Sequence, residues 1–170
     1  MKNHFFKLVF VLLLSSGFIA ISQKKSMTHD ATTEFLTKIA DSRLMAIKAG
    51  NIAANKAASP AIREYAVQLV KDQTLLLGEI QNLAAKRNII LPVTVTPQKE
   101  KGRENLSKKQ GKDFDDAFIK TIAIDQRTDV RLFKNAIEYK DREVSDFARK
   151  YLPLVQAHLA KTTTFKPKRK

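Results

Sequence analysis

Three polar residues stand where the pattern calls for apolar ones. Gln73 lies between Leu69 and Leu76, Gln126 between Ile122 and Val130, and His158 between Leu154 or Tyr151 and the helix end. Spacings of three and four put each on the inward face of its own helix. An unpaired polar group in a core costs about 1–3 kcal/mol. Two amides and an imidazole can satisfy one another, so the three are expected to meet as an interior polar layer, with Ala46 at the corresponding position of the first helix. The sharper chemistry for such positions is a metal site. Di-metal bundles project a Glu from each of two helices and a Glu-x-x-His from each of the other two. Here Val155 precedes His158 by three, no Glu falls on an inward stripe, and His29 and His158 are the only histidines after residue 22. Asp72, Asp125 and Asp129 are placed beside the stripes and Glu79 outside. One imidazole and two amide oxygens make a poor site for a divalent ion. The reading therefore assigns no metal, no cofactor and no catalytic residue. Its alternative is a weak site at His158 and nearby Asp residues, in a metal-linked stress protein.

The elements that must position these residues are helical. Gly and Pro number five each in 170 residues, too few for a turn-rich β sandwich or barrel. Phe35, Ile39, Ser42, Ala46, Ala49 and Ala53 form one stripe, predicting a helix from about 33 to 58. Ser59-Pro60, an N-cap residue followed by the residue favoured at the first helical position, opens a second helix to about Arg87. The stretch 88–112 is proline-punctuated, with a short helix after Thr96-Pro97 to about Lys109. Asp113 is read as the cap of a third long helix ending near Lys140, and Asp141 as the cap of a fourth that contains Pro153. Short, long and short connections select a ferritin-like four-helix bundle with a long crossover between its second and third helices. Paired phrases, Ile62-x-x-Tyr65-Ala66 with Val144-x-x-Phe147-Ala148 and Asp72-Gln73 with Asp125-Gln126, suggest two related halves.

The first 22 residues read as a secretory signal peptide: Lys2 and Lys7, an apolar run from Leu8 to Ile21, and a small-x-small site at Ala20-Ile21-Ser22. The run is short for a membrane anchor, which needs roughly 20 apolar residues. Residues 23–32 are then a flexible leader, 33–162 the bundle and 163–170 a basic tail. Absence of Cys excludes disulfides, Cys-zinc sites, iron–sulfur clusters, thiol catalysis and a lipoprotein anchor. No phosphate loop, nucleophile elbow or dinucleotide fingerprint is present.

The runs from Phe35 to Gln73, Leu83 to Pro92, Asp113 to Phe133 and Phe147 to Leu159, ending in Leu152-Pro153-Leu154-Val155-Gln156-Ala157-His158-Leu159, resemble the exported bacterial domain-of-unknown-function family 4142. The resemblance covers about residues 33–162. It implies a ferritin-like fold and a place in the periplasm or at the outer membrane of a Gram-negative bacterium. Family members tend to carry Asp-His twice; here the pairs are Asp72-Gln73 and Asp125-Gln126, and a family Glu on the first helix is Ala46. Any interior site of the family is thus degenerate in this chain.

The net charge is +14. Lys99, Lys101, Arg103, Lys108, Lys109 and Lys112 cluster in the crossover, and Lys166, Lys168, Arg169 and Lys170 end the chain. They suit contact with anionic envelope components such as lipid phosphates or acidic glycans, or simply keep a loop and tail solvated. Nucleic acid is not an expected partner, given export and few aromatics beside the lysines. The expectation is an exported, non-enzymatic helical binding or structural module, with the metal-linked and polyanion-binding readings as alternatives.

Overall fold

A computed structural model describes residues 23–165, with side chains from residue 31 onward. The domain is all-α. Its elements are α1 (Gln23–Lys56), α2 (Pro60–Ala85), α3 (Pro97–Ser107), α4 (Gly111–Ile137) and α5 (Arg142–Thr164). Packing is most extensive between α1 and α2 and between α4 and α5, with α1 against α4 joining the two pairs. Residues 1–22, read from the sequence as a signal peptide, and the residues after Phe165 lie outside the described residues.

Four expectations need correction at the helix ends. α1 begins at Gln23, ten residues before Thr33, because no Gly or Pro between them stops the helix. Ser59 and Thr96 occupy N-cap positions before Pro60 and Pro97, yet neither hydroxyl makes a capping bond. Distant carboxylates serve these connections instead. Asp115 accepts from the backbone N–H groups of Ala58 and Ser59, each at 2.9 Å, and Asp41 accepts from Thr96 N–H at 2.8 Å. Asp113 caps nothing: α4 starts two residues earlier, behind Gln110, where Gly111 adopts φ +55°, a conformation glycine reaches without strain. Asp141 does cap α5, accepting from Val144 N–H at 3.2 Å.

The 88–110 segment holds to α1 along its length. Asp41 pairs with Lys99 at 3.2 Å, Lys48 with Glu100 at 3.4 Å, and Lys56 donates to the Ser107 carbonyl. Arg87, just past α2, takes both oxygens of Asp141 at 2.7 and 2.8 Å and so ties the end of α2 to the start of α5. Bidentate geometry of this kind is among the stronger ion pairs.

The core divides in two. One cluster gathers Phe35, Leu36, Ile39, Leu76, Ile80, Phe133, Val144 and Phe147, with Phe35 edge-on to Phe133 at 5.4 Å. The other gathers Met45, Ala46, Ala49, Ala53, Tyr65, Leu69, Phe114, Phe118 and Ile122. Small residues at 46, 49, 50 and 53 let α2 approach closely; a Cβ on Gly50 would stand 2.7 Å from Val70 Cγ2.

Candidate functional site

Between the two apolar clusters each long helix contributes polar side chains. On α1 these are Ser42 and Arg43, on α2 Gln73, and on α4 Gln126 and Asp129. On α5 His158 follows Val155, the last member of the first cluster on that helix. All six are buried, Arg43 and Gln73 to 0% exposure and Asp129 to 1%. The inward placement expected of Gln73, Gln126, His158 and Ala46 is what the structure has.

The bonding within this layer differs from expectation. The three residues were expected to satisfy one another, but neither amide atom of Gln73 has a hydrogen-bond partner among the described residues, nor has Gln126 Oε1. His158 turns to Asp72, with Nε2 3.1 Å from Oδ2 but without the alignment of a good hydrogen bond. Its backbone carbonyl accepts from the Tyr65 hydroxyl at 3.3 Å. The centre of the layer is instead an ion pair. Arg43 Nη2 contacts Asp129 Oδ2, and the Ser42 hydroxyl donates to the same oxygen at 2.9 Å. Arg43 Nε and Nη1 and Asp129 Oδ1 have no partner among the described residues.

Asp129 was placed beside the stripe and Arg43 was not singled out. Both had a signal. Arg43 is four residues after Ile39 and three before Ala46; Asp129 is three after Gln126 and four before Phe133. The stripe on each helix is wide enough to hold two residues at that level, and Ser42 and Val130 masked their neighbours.

Electrostatics follow from burial. Desolvation pushes the Asp129 carboxyl up, opposed by the charge of Arg43 and the Ser42 hydrogen bond. It also raises half-buried Asp125, opposed by Lys99. Desolvation pulls His158 down; Asp72 opposes this and Arg43 reinforces it. Burial thereby favours the neutral imidazole.

Among the described residues no group of three or more His, Cys, Asp or Glu is arranged to hold a metal ion. Of the six crossover cations, Lys99 pairs with Asp41, Arg103 with Glu100 and Lys112 with Asp116. Lys101, Lys108 and Lys109 are exposed and carry no ion pair among the described residues. No helix of the described residues is long and apolar enough to cross a membrane.

Helices paired around a buried charged layer define a class of all-α domain rather than an activity. The family model described as "Domain of unknown function (DUF4142)" matches residues 20–164, and the chain belongs to that family. A similar fold is found in a solved structure from Deinococcus radiodurans, titled "Crystal structure of DUF305 fragment". The TM-score is 0.70 over 79% of this chain and 93% of that one, at 10% identity, a likeness of fold alone. No curated protein matches the chain.

Proposed function

We propose that the protein is an exported, non-enzymatic module of the bacterial envelope, periplasmic or outer-membrane-associated, that binds or scaffolds rather than turning over a substrate. Its four long helices are read as a ferritin-like bundle with the 88–110 segment as crossover, a reading supported by the course of that segment along α1 and by the bundle rules for a short-long-short chain. Export rests on the composition of residues 1–22.

The observation that carries the reading is Arg43. A buried guanidinium, always protonated, lies in the layer where Gln73, Gln126 and His158 also sit. A divalent ion at that level would meet a fixed positive charge, two neutral amides, one imidazole and one carboxylate already paired with that charge. The layer supplies its own cation, and the reading gives it a structural role in holding helix register. The test has two arms. Mass spectrometry of envelope fractions is expected to find an N-terminus at or near Gln23, and recovery of intact Met1 in the cytosol defeats the export reading. Elemental analysis of the purified protein is expected to give metal well below one equivalent. Stoichiometric metal that disappears in His158→Ala would overturn the reading in favour of a metal-linked protein.

Polyanion contact is the second reading, supported by the net charge of +14 and by exposed Lys101, Lys108 and Lys109. Retention on anionic liposomes is then expected to fall steeply with salt, since exposed charges are screened beyond about 10 Å at 0.1 M. Retention unchanged when these lysines become Gln refutes it.

A further inference from the structure

On the outer side of the Arg43–Asp129 pair, α1 and α4 part to leave a cleft of about 560 Å³, within the size range of small-molecule sites. Charged and polar residues, with their alkyl stems, make up nearly all of its lining. Buried Ser42 and Asp129 form the floor, half-buried Asp125 lies one turn along α4, Lys99 enters from the start of α3, and exposed Arg131 and Lys134 stand on the rim.

Asp129 is paired with Arg43 and Ser42 through Oδ2, yet two acidic and two basic side chains in this cleft keep bonding capacity that the fold does not use. Asp129 Oδ1 is buried without a partner, and the Asp125 carboxyl makes no hydrogen bond or ion pair among the described residues. Arg131 and Lys134 likewise have no acidic partner among the described residues, whereas Lys99 is tied to Asp41 and Lys38 to Glu34. Unsatisfied groups therefore sort by depth, carboxyls below and cations above. Burying carboxyls without a partner is costly, and the raised pKa of Asp125 expresses that desolvation.

We propose that this cleft binds a small zwitterion, a molecule with a primary ammonium and a separate carboxylate or phosphate. The ammonium sits against Asp125 and Asp129, and the anionic group lies on Arg131 and Lys134. Elimination supports the assignment. An anion alone meets two carboxyls at the floor. A cation alone leaves Arg131 and Lys134 unanswered. A molecule bearing both charges satisfies both pairs, and Arg131 can hold a carboxylate or phosphate through two parallel N–H groups. The site shares Ser42 and Asp129 with the interior layer and does not depend on export.

Titration calorimetry on the purified chain tests this with 4-aminobutyrate and phosphoethanolamine as two-charge probes and butylamine, butyrate and methyl phosphate as single-charge controls. At least one two-charge probe is expected to bind, with its single-charge analogues about tenfold weaker or worse, a difference of about 1.4 kcal/mol. The relative strength of the two probes tells carboxylate from phosphate. Asp125→Asn and Arg131→Gln are each expected to weaken the two-charge probe by a similar factor, and Arg131→Gln, on the exposed rim, to do so without moving the melting temperature. Butyrate or methyl phosphate binding as tightly as the two-charge probe overturns the proposal in favour of a simple anion site. Absence of heat from both two-charge probes at millimolar concentration overturns it outright, as does binding indifferent to both substitutions.

Discussion

Gln73 offers the most direct test of how the interior is held together. Its side chain is fully buried between Leu69 and Leu76, and neither amide atom is paired among the described residues. An amide in that state costs about 1–3 kcal/mol relative to a satisfied one. Replacing it by Leu removes the penalty and adds apolar contact with both neighbouring clusters. Leu has one heavy atom fewer, and a void of about a methyl group costs roughly 1 kcal/mol. The net expectation for Gln73→Leu is a gain of up to about 2 kcal/mol. In a domain of this size each kcal/mol moves the melting temperature by about 2–4 °C, so a rise of a few degrees is expected. Urea denaturation followed by circular dichroism should show a higher midpoint at unchanged slope, the mark of a change in stability rather than in the denatured state. Gln73→Met, unbranched like Gln, controls for side-chain shape. Loss of about 1 kcal/mol or more in both variants refutes the reasoning, because it means the amide is satisfied in solution.

Three further outcomes follow from the same interior and its walls. Arg43→Met and Asp129→Leu are each expected to cost about 3–5 kcal/mol by stranding a buried charge, while the double variant lies close to the parent; additive losses in a double-mutant cycle would contradict the pairing. Gly50→Ala forces a Cβ to 2.7 Å from Val70 Cγ2 and 3.4 Å from the Ala66 carbonyl, for a loss of about 1–3 kcal/mol; the added substitution Val70→Ala should recover part of it, and no loss on chemical unfolding would show that the helices stand further apart. His158 is held below its usual pKa, chiefly by burial and further by Arg43, with Asp72 opposing. A depressed histidine contributes stability above its unfolded pKa of about 6.5, and that stability is lost as pH falls through the folded value. The unfolding midpoint of the parent relative to His158→Gln is therefore expected to decline below about pH 6.5 and to stay level above it, and a difference that grows on acidification defeats the assignment.

Much of the architecture was legible in the sequence. Stripe spacing located four long helices, because burial on one face of a helix writes a period of 3.6 directly into the chain, and the Thr96-Pro97 pair located the short one. The same periodicity placed Gln73, Gln126, His158 and Ala46 inside. Helix ends were less legible. Ser59 and Thr96 have the right type for caps, yet Asp115 and Asp41, more than fifty residues away in sequence, satisfy the backbone there. Local pattern carries no record of a carboxylate arriving from another helix.

The partners inside the layer were decided only by the tertiary structure. A stripe tells which residues face inward but not at what height or rotation they meet those of the next helix. The packing of α1 against α4 sets Arg43 beside Asp129, across 86 positions of sequence, and leaves Gln73 without a partner. The α1/α4 cleft has the same origin. Arg131 and Lys134 look like ordinary solvated charges along α4 and Asp125 like a neighbour of the stripe, and they line one cleft only because α1 and the start of α3 form its other side. Sequence determined which residues turn inward, since that depends on one helix at a time; the charge pairing and the cleft depend on two or three helices at once.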